Sequence, residues 1–228
     1  MLSIRVVHMP ANLPPDYVDL FLSRVSAERR QKIARFVRKE DAYRSLLGEV
    51  LVRSTLSEHT GVRPDALQFV YNPYGKPSLQ NNPDVGFNLS HSGNWIAMIW
   101  GDSSCCPGID VERIVRMDLH IAEHLFTPQE NRMLASKTGD ARLEYFYRVW
   151  TLKESYVKAV GKGLSIPLDS FSVVCTEEQT WYSPEADGFH FTSIRLDEEH
   201  ILSACSCKAA LPDHVQHVSL SSLYETLL

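Results

Sequence analysis

The chain has 228 residues, 44% hydrophobic and 22% charged, which is the balance of a soluble globular protein long enough for one large domain or two small ones. A formal charge of -5 and a pI near 6.0 give no global reason to expect nucleic acid or an anionic membrane as partner. The longest apolar run, "WIAMIW" from Trp95 to Trp100, is too short to cross a bilayer, and Arg5 interrupts the N-terminal apolar run, so a cytoplasmic chain is expected.

"SIRVVHM" (3–9) predicts a first strand, and a long helical region follows the Pro14-Pro15 break to about His59, with Gly61 as its stop. From Arg24 to Arg53 there are nine Arg or Lys against four Asp or Glu, so a basic segment sits on a body that carries -10. Only Phe36 and Tyr43 are interleaved with those charges, too few aromatics for base stacking, and no nucleic acid partner is expected. "LQFVYN" predicts a strand, "NPYGKP" a turn, and "VGFNLSHSG" with "WIAMIWG" a hairpin-like pair. "GIDVERI" is strand-like. Thr127, Pro128 and Glu130 form the pattern of a helix start with a capping box. A helix is predicted from about Arg142 to Val160, stopped by Gly161, and "SFSVV", "HFTSIRL" and "HILSACSC" supply strands. The order helix, glycine stop, strands occurs twice, which predicts an internal duplication with its midpoint near residues 101–108. The five cysteines (105, 106, 175, 205 and 207) form no CxxC and are odd in number, so reduced thiols are expected.

Several groups carry chemistry. Asp110 and Glu112 in "GIDVE" are two apart, so on a strand both carboxylates point to one face. Oxygen donors of this kind suit Mg²⁺, although an exposed alternating strand would read the same way. On the last long helix Thr151, Glu154, Ser155 and Lys158 share a face, and Glu154 with Lys158 is also the spacing of an ordinary surface pair. Ser90, His91 and Ser92, ahead of Gly93, are small polar groups able to donate to phosphate oxygens. Lys76 is held between a turn glycine and a proline. "HIAEH" (120–124) matches H-x-x-E-H, a zinc-protease pattern, but no third ligand accompanies it.

Taken together, "SAERRQKIARFVRKEDAYRSLLGEVLVRS", "YGKP", "FNLSHSG", "GIDVE" and "FYRVWTLKESYVKAVGKGLSIPLDSFSV" stand in one order over nearly the full length. In these landmarks the chain resembles the surfactin-type 4′-phosphopantetheinyl transferases. The resemblance implies an α+β fold of two similar halves (1–104 and 105–228), each a small antiparallel sheet packed by a long helix, with the active site between them. It implies transfer of the phosphopantetheine arm of coenzyme A to a serine of an apo carrier protein, with adenosine 3′,5′-bisphosphate leaving. It further implies Mg²⁺ (or Mn²⁺) at Asp110, Glu112 and Glu154, with Lys158 and Ser90 at the pyrophosphate. Arg29, Lys32, Arg44 and His91 would meet the 3′-phosphate, and Lys76 matches the lysine of the adenine-side loop. Glu154 is the expected general base, Lys158 the other catalytic group, and Lys153 is about 100° from Glu154 around the helix. The carrier would dock on residues 113–126, which absorbs "HIAEH" as part of a docking helix, and a monomer is implied. A Mg²⁺-dependent phosphohydrolase, a non-catalytic coenzyme A-binding module and a zinc peptidase are the competing readings.

Overall fold

The computed structural model describes residues 1–208 and 210–228, with Leu164 of the G-K-G-L loop described in backbone only. In chain order the elements are β1 (Ser3–His8), α1 (Pro15–Ser23), α2 (Ala27–Ala34), α3 (Lys39–Thr60), β2 (Phe69–Tyr71), β3 (Pro77–Leu79), β4 (Val85–Ser92), β5 (Trp95–Asp102) and β6 (Gly108–Arg113). They continue with α4 (Ala122–Leu125), α5 (Pro128–Ala135), α6 (Gly139–Val160), β7 (Val174–Cys175), β8 (Trp181–Tyr182), β9 (Phe189–Arg195), β10 (His200–Cys207), β11 (Gln216–His217) and α7 (Leu220–Leu227).

The duplication is explicit in the topology. A strand, a 22-residue helix and a hairpin occur twice: β1, α3 and β4–β5, then β6, α6 and β9–β10. Each time the second hairpin strand lies between the other two, giving β1-β5-β4 and β6-β10-β9, antiparallel throughout. Both long helices end at a left-handed glycine, Gly61 at φ 69° and Gly161 at φ 73°. The tail crosses back: β11 runs parallel to β1, and Leu223 and Leu227 of α7 enter the core under α3. A division at 104/105 therefore leaves out a segment that packs with the first half while following the second in sequence.

Each sheet is covered on both faces, which explains why "WIAMIW" is apolar without interruption. On β5, Ile96 and Met98 face the α3 core, whereas Trp95, Ala97 and Ile99 turn to the other sheet. On β10, Ile201 and Cys205 face the α6 core, while Leu202 and Ala204 meet Ile4, Val6, Ile109 and Val111 between the sheets. The order of layers is helix, sheet, sheet, helix.

Three expected elements differ. The first helical region is broken into α1, α2 and α3, because Ser26 caps a new helix by accepting from the Arg29 N–H at 3.1 Å. "SFSVV" is mostly not strand, since the Leu168 and Phe171 carbonyls and the Val173 N–H turn to the buried Lys153 and Glu130. Thr151 and Ser155 do not lie on an open face: both are fully buried against the second sheet, Thr151 Oγ1 lying 2.7 Å from Ser203 Oγ.

That packing depends on Gly108. A Cβ there would lie 2.1 Å from the Ser155 carbonyl oxygen and 2.5 Å from the Ala159 nitrogen, so α6 rests directly on the β6 backbone. Gly108→Ala is expected to destabilise the protein by at least the ~1–3 kcal/mol of ordinary overpacking, because backbone cannot swing aside as a side chain can. A lower urea midpoint at unchanged slope would show it. A midpoint equal to that of the parent would mean that α6 can move freely away from β6.

Candidate active site

The two sheets meet along a seam of side chains. Asn88 Oδ1 accepts from the Ile109 N–H at 2.9 Å, Ser90 Oγ donates to Asp110 Oδ1 at 2.8 Å, and Ser92 Oγ donates to Glu112 Oε2 at 2.7 Å. The period of two on β4 matches the period of two on β6, so alternate residues of one strand reach alternate residues of the other. Above the seam opens a cleft of about 420 Å³. Ser90 and His91 line it from β4, Asp110 and Glu112 from β6, and Trp150, Glu154 and Lys158 from α6. Residues more than sixty positions apart in sequence are thus brought to one opening.

Carboxylates outnumber the cations inside it. The Lys158 ammonium donates to Asp110 Oδ1 at 2.6 Å and to Ser90 Oγ at 3.0 Å. Asp110 is buried, and its Oδ2 has no hydrogen-bond partner among the described residues. Burial raises the Glu112 carboxyl above its ordinary value despite the Ser92 bond, and the charges of Asp110 and Glu154 add to the rise. Burial and Asp110 raise Glu154, against the pull of Lys158. Among the described residues no three His, Cys, Asp or Glu side chains already surround one point as a metal cluster. The chemistry nevertheless fits a hard divalent cation: oxygen-only donors, one orphaned buried carboxylate oxygen, and two carboxylates short of positive charge.

The His91 side supplies the opposite field. Loss of water around the imidazole lowers its pKa below the ordinary value, and the positive charges of Arg44, Lys158 and Arg29 lower it further. An anion there would find several cations at once. Arg44 is oriented by the Gly93 carbonyl at 2.9 Å and by Asp41. Arg29 and Lys32 line a neighbouring cleft of about 590 Å³ beside Phe69 and Tyr71. Arg29 also lines a third, with Leu89, and Leu89 in turn lines the carboxylate cleft, so the three openings are neighbours.

Lys76 stands apart. Its ammonium donates to the Ala159 carbonyl at 2.8 Å and to the Pro107 carbonyl at 3.3 Å, closing the C-terminal end of α6. Contact with a ligand through that charge, as the resemblance implies, would require breaking both bonds. "HIAEH" is not one regular helix but a 3₁₀ turn (119–121) and the single turn of α4. His120 there is exposed and pairs with Glu123 at 2.9 Å.

Two residues take parts that the sequence reading did not give them, and a third lies outside the cleft. Ser92, expected as a phosphate donor, instead donates to Glu112 and orients it. Trp150 lines the cleft one helical turn before Glu154. Lys153 is fully buried in an ion pair with Glu130 at 2.9 Å.

The β4–β5 turn beside His91 is backed by a polar pair. Gly93 adopts φ 54°, and a Cβ there would lie 2.4 Å from His200 Nε2. Asp197 accepts from Trp95 Nε1 at 2.7 Å and from His200 Nδ1 at 2.9 Å. Burial pushes the Asp197 carboxyl up, but these hydrogen bonds outweigh it and bring the pKa down to about 2. A carboxyl lower in the folded than in the unfolded chain adds stability that is present above the unfolded value of 3.8 and lost as pH falls towards 2. Urea midpoints should therefore drop between pH 4 and 2, and Asp197→Asn should flatten that drop. A variant with the same acid slope as the parent would refute the assignment.

A duplicated α+β protein with an acidic, cation-rimmed cleft at its seam is built to handle a phosphate-rich anion. Two family models match the chain: the 4′-phosphopantetheinyl transferase superfamily over residues 107–209, and the N-terminal 4′-phosphopantetheinyl transferase model over 14–101. The 4′-phosphopantetheinyl transferase ffp of Bacillus subtilis is 38% identical over 231 residues, covering all of both chains. Sfp of Bacillus subtilis strain 168 is 37% identical over 234 residues, again over the full length of both. Among solved structures, a holo-(acyl-carrier-protein) synthase from Bacillus anthracis, in complex with CoA (3′,5′-ADP), aligns at a TM-score of 0.41 and 18% identity, covering 46% of this chain and 96% of that one. The chain belongs to the 4′-phosphopantetheinyl transferase family.

Proposed function

We propose that the seam cleft transfers the 4′-phosphopantetheine arm of coenzyme A to a serine hydroxyl of an apo carrier protein. The observation that carries this reading is the convergence of Asp110, Glu112, Glu154 and Lys158 with Ser90 and His91 in one opening. Arg44, His91, Arg29 and Lys32 are assigned to the 3′-phosphate, on the His91 side where the positive charges of Arg44 and Arg29 act. Lys158 and Ser90 are assigned to the pyrophosphate, the ammonium exchanging its Asp110 contact for phosphate oxygens. Asp110, Glu112 and Glu154 would hold Mg²⁺, which when bound neutralises charge on the pyrophosphate. Mn²⁺, with the same preference for carboxylate oxygens, is the alternative.

Glu154 is assigned the serine proton, since its half-buried carboxylate lines the cleft and makes no hydrogen bond among the described residues. Ser92 acts one step back, holding Glu112 in place. Lys76 is assigned to the adenine side through the backbone of its turn, its ammonium remaining on the end of α6. The carrier is assigned to residues 113–126, where Val115, Met117 and Ile121 are 49%, 40% and 42% exposed beside the cleft. A monomer suffices, because both halves of the site come from one chain. Among the described residues no helix is long and apolar enough to cross a membrane, and a cytoplasmic location is part of this proposal.

The deciding experiment is the intact mass of an apo carrier protein after incubation with coenzyme A, Mg²⁺ and this protein. The expected result is a gain of one phosphopantetheine arm, abolished by EDTA and by serine-to-alanine change in the carrier. Release of phosphate or pantetheine phosphate to water, with no gain on any of several carriers, would instead favour a phosphohydrolase.

A further inference from the structure

Four of the five cysteines lie together at the far end of β10, away from the cleft, and the transfer chemistry does not use them. The β6–β10 ladder pairs Cys205 with Gly108. Continuing that register two residues further sets Cys207 opposite Cys106. An unbroken ladder would hold such a pair about 4.5–5.5 Å apart at Cα, inside the ~4.4–6.8 Å that a disulfide spans, but the pairing stops at Cys205 and Gly108. Cys106 lies just before β6 in a left-handed conformation at φ 49°, rare for a residue with a side chain. Both thiols donate to the Ser104 carbonyl, Cys207 at 3.2 Å and Cys106 at 3.9 Å, so the two sulfurs share one acceptor. Both are partly exposed, whereas Cys205 is fully buried.

We propose that Cys106 and Cys207 are a reversible disulfide pair, which when oxidised ties the linker between the two halves to the central strand of the second sheet. The oxidant is a low-molecular-weight disulfide such as oxidised glutathione. One protein thiolate attacks a sulfur of that disulfide and releases one glutathione thiolate. The second protein thiolate then displaces the other, so two protons and two electrons leave the protein pair and two glutathione thiols form. Burial and the neighbouring Cys106 raise the Cys207 thiol to about 11, which disfavours Cys207 as the first attacker and leaves it the resolving role. The bond would close a loop of about a hundred residues that includes α6, so the oxidised protein should resist unfolding more than the reduced one. The staple stands next to Pro107, whose carbonyl accepts from Lys76, and so it would pin the segment on which the YGKP turn rests.

The test uses the whole protein, treated with oxidised glutathione at mildly alkaline pH, alkylated, and digested without reductant. The expected product is one cross-linked peptide joining Cys106 to Cys207, two hydrogens lighter than its parts and reversed by dithiothreitol. A thermal midpoint that rises on oxidation and returns on reduction should accompany it. Cys106→Ser and Cys207→Ser should each abolish the link and the shift while leaving carrier modification unchanged, which shows that both variants fold. Mixed glutathione disulfides alone, or a link joining Cys105 to Cys106 or any other pair, would overturn the proposal.

Discussion

Glu154→Gln is expected to lower carrier modification by roughly 10²–10⁴-fold, the range that a positioned proton acceptor supplies, with no loss of stability. The two halves of that expectation have separate causes. Glu154 holds nothing in place: it makes no hydrogen bond among the described residues, and its carboxylate is disfavoured by burial and by Asp110. An isosteric amide removes one of three neighbouring negative charges, so the unfolding midpoint should stay level or rise slightly. As half of a surface pair with Lys158 the residue would be worth only about 0.2–0.5 kcal/mol. That pairing is not what forms, since the Lys158 ammonium lies on Asp110 at 2.6 Å. The rate of carrier mass gain, measured beside coenzyme A affinity and the urea midpoint, separates chemistry from binding and folding. Activity within threefold of the parent would remove Glu154 from the mechanism.

Lys153→Met, one residue away, should do the opposite: destabilise the fold without entering the chemistry. Lys153 and Glu130 are 0% and 1% exposed, with 2.9 Å between the ammonium and a carboxylate oxygen. The ammonium also donates to the Leu168 carbonyl at 2.7 Å and to the Phe171 carbonyl, over whose ring it lies. Glu130 in turn accepts from the Thr127 and Val173 N–H groups at 2.8 and 2.7 Å. The pair thus anchors α6 to the start of α5 and to the loop after α6. Removing the lysine alone strands a buried carboxylate, at a cost of about 3–5 kcal/mol. Lys153→Met combined with Glu130→Gln should recover part of that loss, because the amide carries no charge, although its single oxygen can accept from only one of the Thr127 and Val173 N–H groups. Urea midpoints of the single and double variants decide it. A double variant less stable than Lys153→Met alone would mean that the charges are not coupled.

Glu130 also illustrates how far local sequence reaches. Thr127, Pro128 and Glu130 announced the capping box, and both of its hydrogen bonds are present. The same carboxylate's second role, closing on Lys153 from another element, has no local signature, since an ion pair 23 positions apart depends on how α5 packs against α6. Lys76 is a similar case. Its turn is legible in the glycine and proline beside it, but its partners are carbonyls of Ala159 and Pro107, and backbone acceptors carry no residue-type signal.

By itself the sequence determined the parts whose physics is local or periodic. The glycine stops at Gly61 and Gly161, the paired carboxylates on one face of β6, the hairpin of β4 and β5, and the repeated order of elements all follow from spacing and side-chain type. The landmark motifs, read in order, also pointed to the family. Only the tertiary structure decided which of those groups meet. It put Thr151 and Ser155 in the core through the bare backbone of Gly108, lined Ser90 and Ser92 along Asp110 and Glu112, and returned the tail to the first half. The physical reason is that such contacts depend on how two sheets and two helices stack, and free energy of burial is set by neighbours in space whatever their distance along the chain.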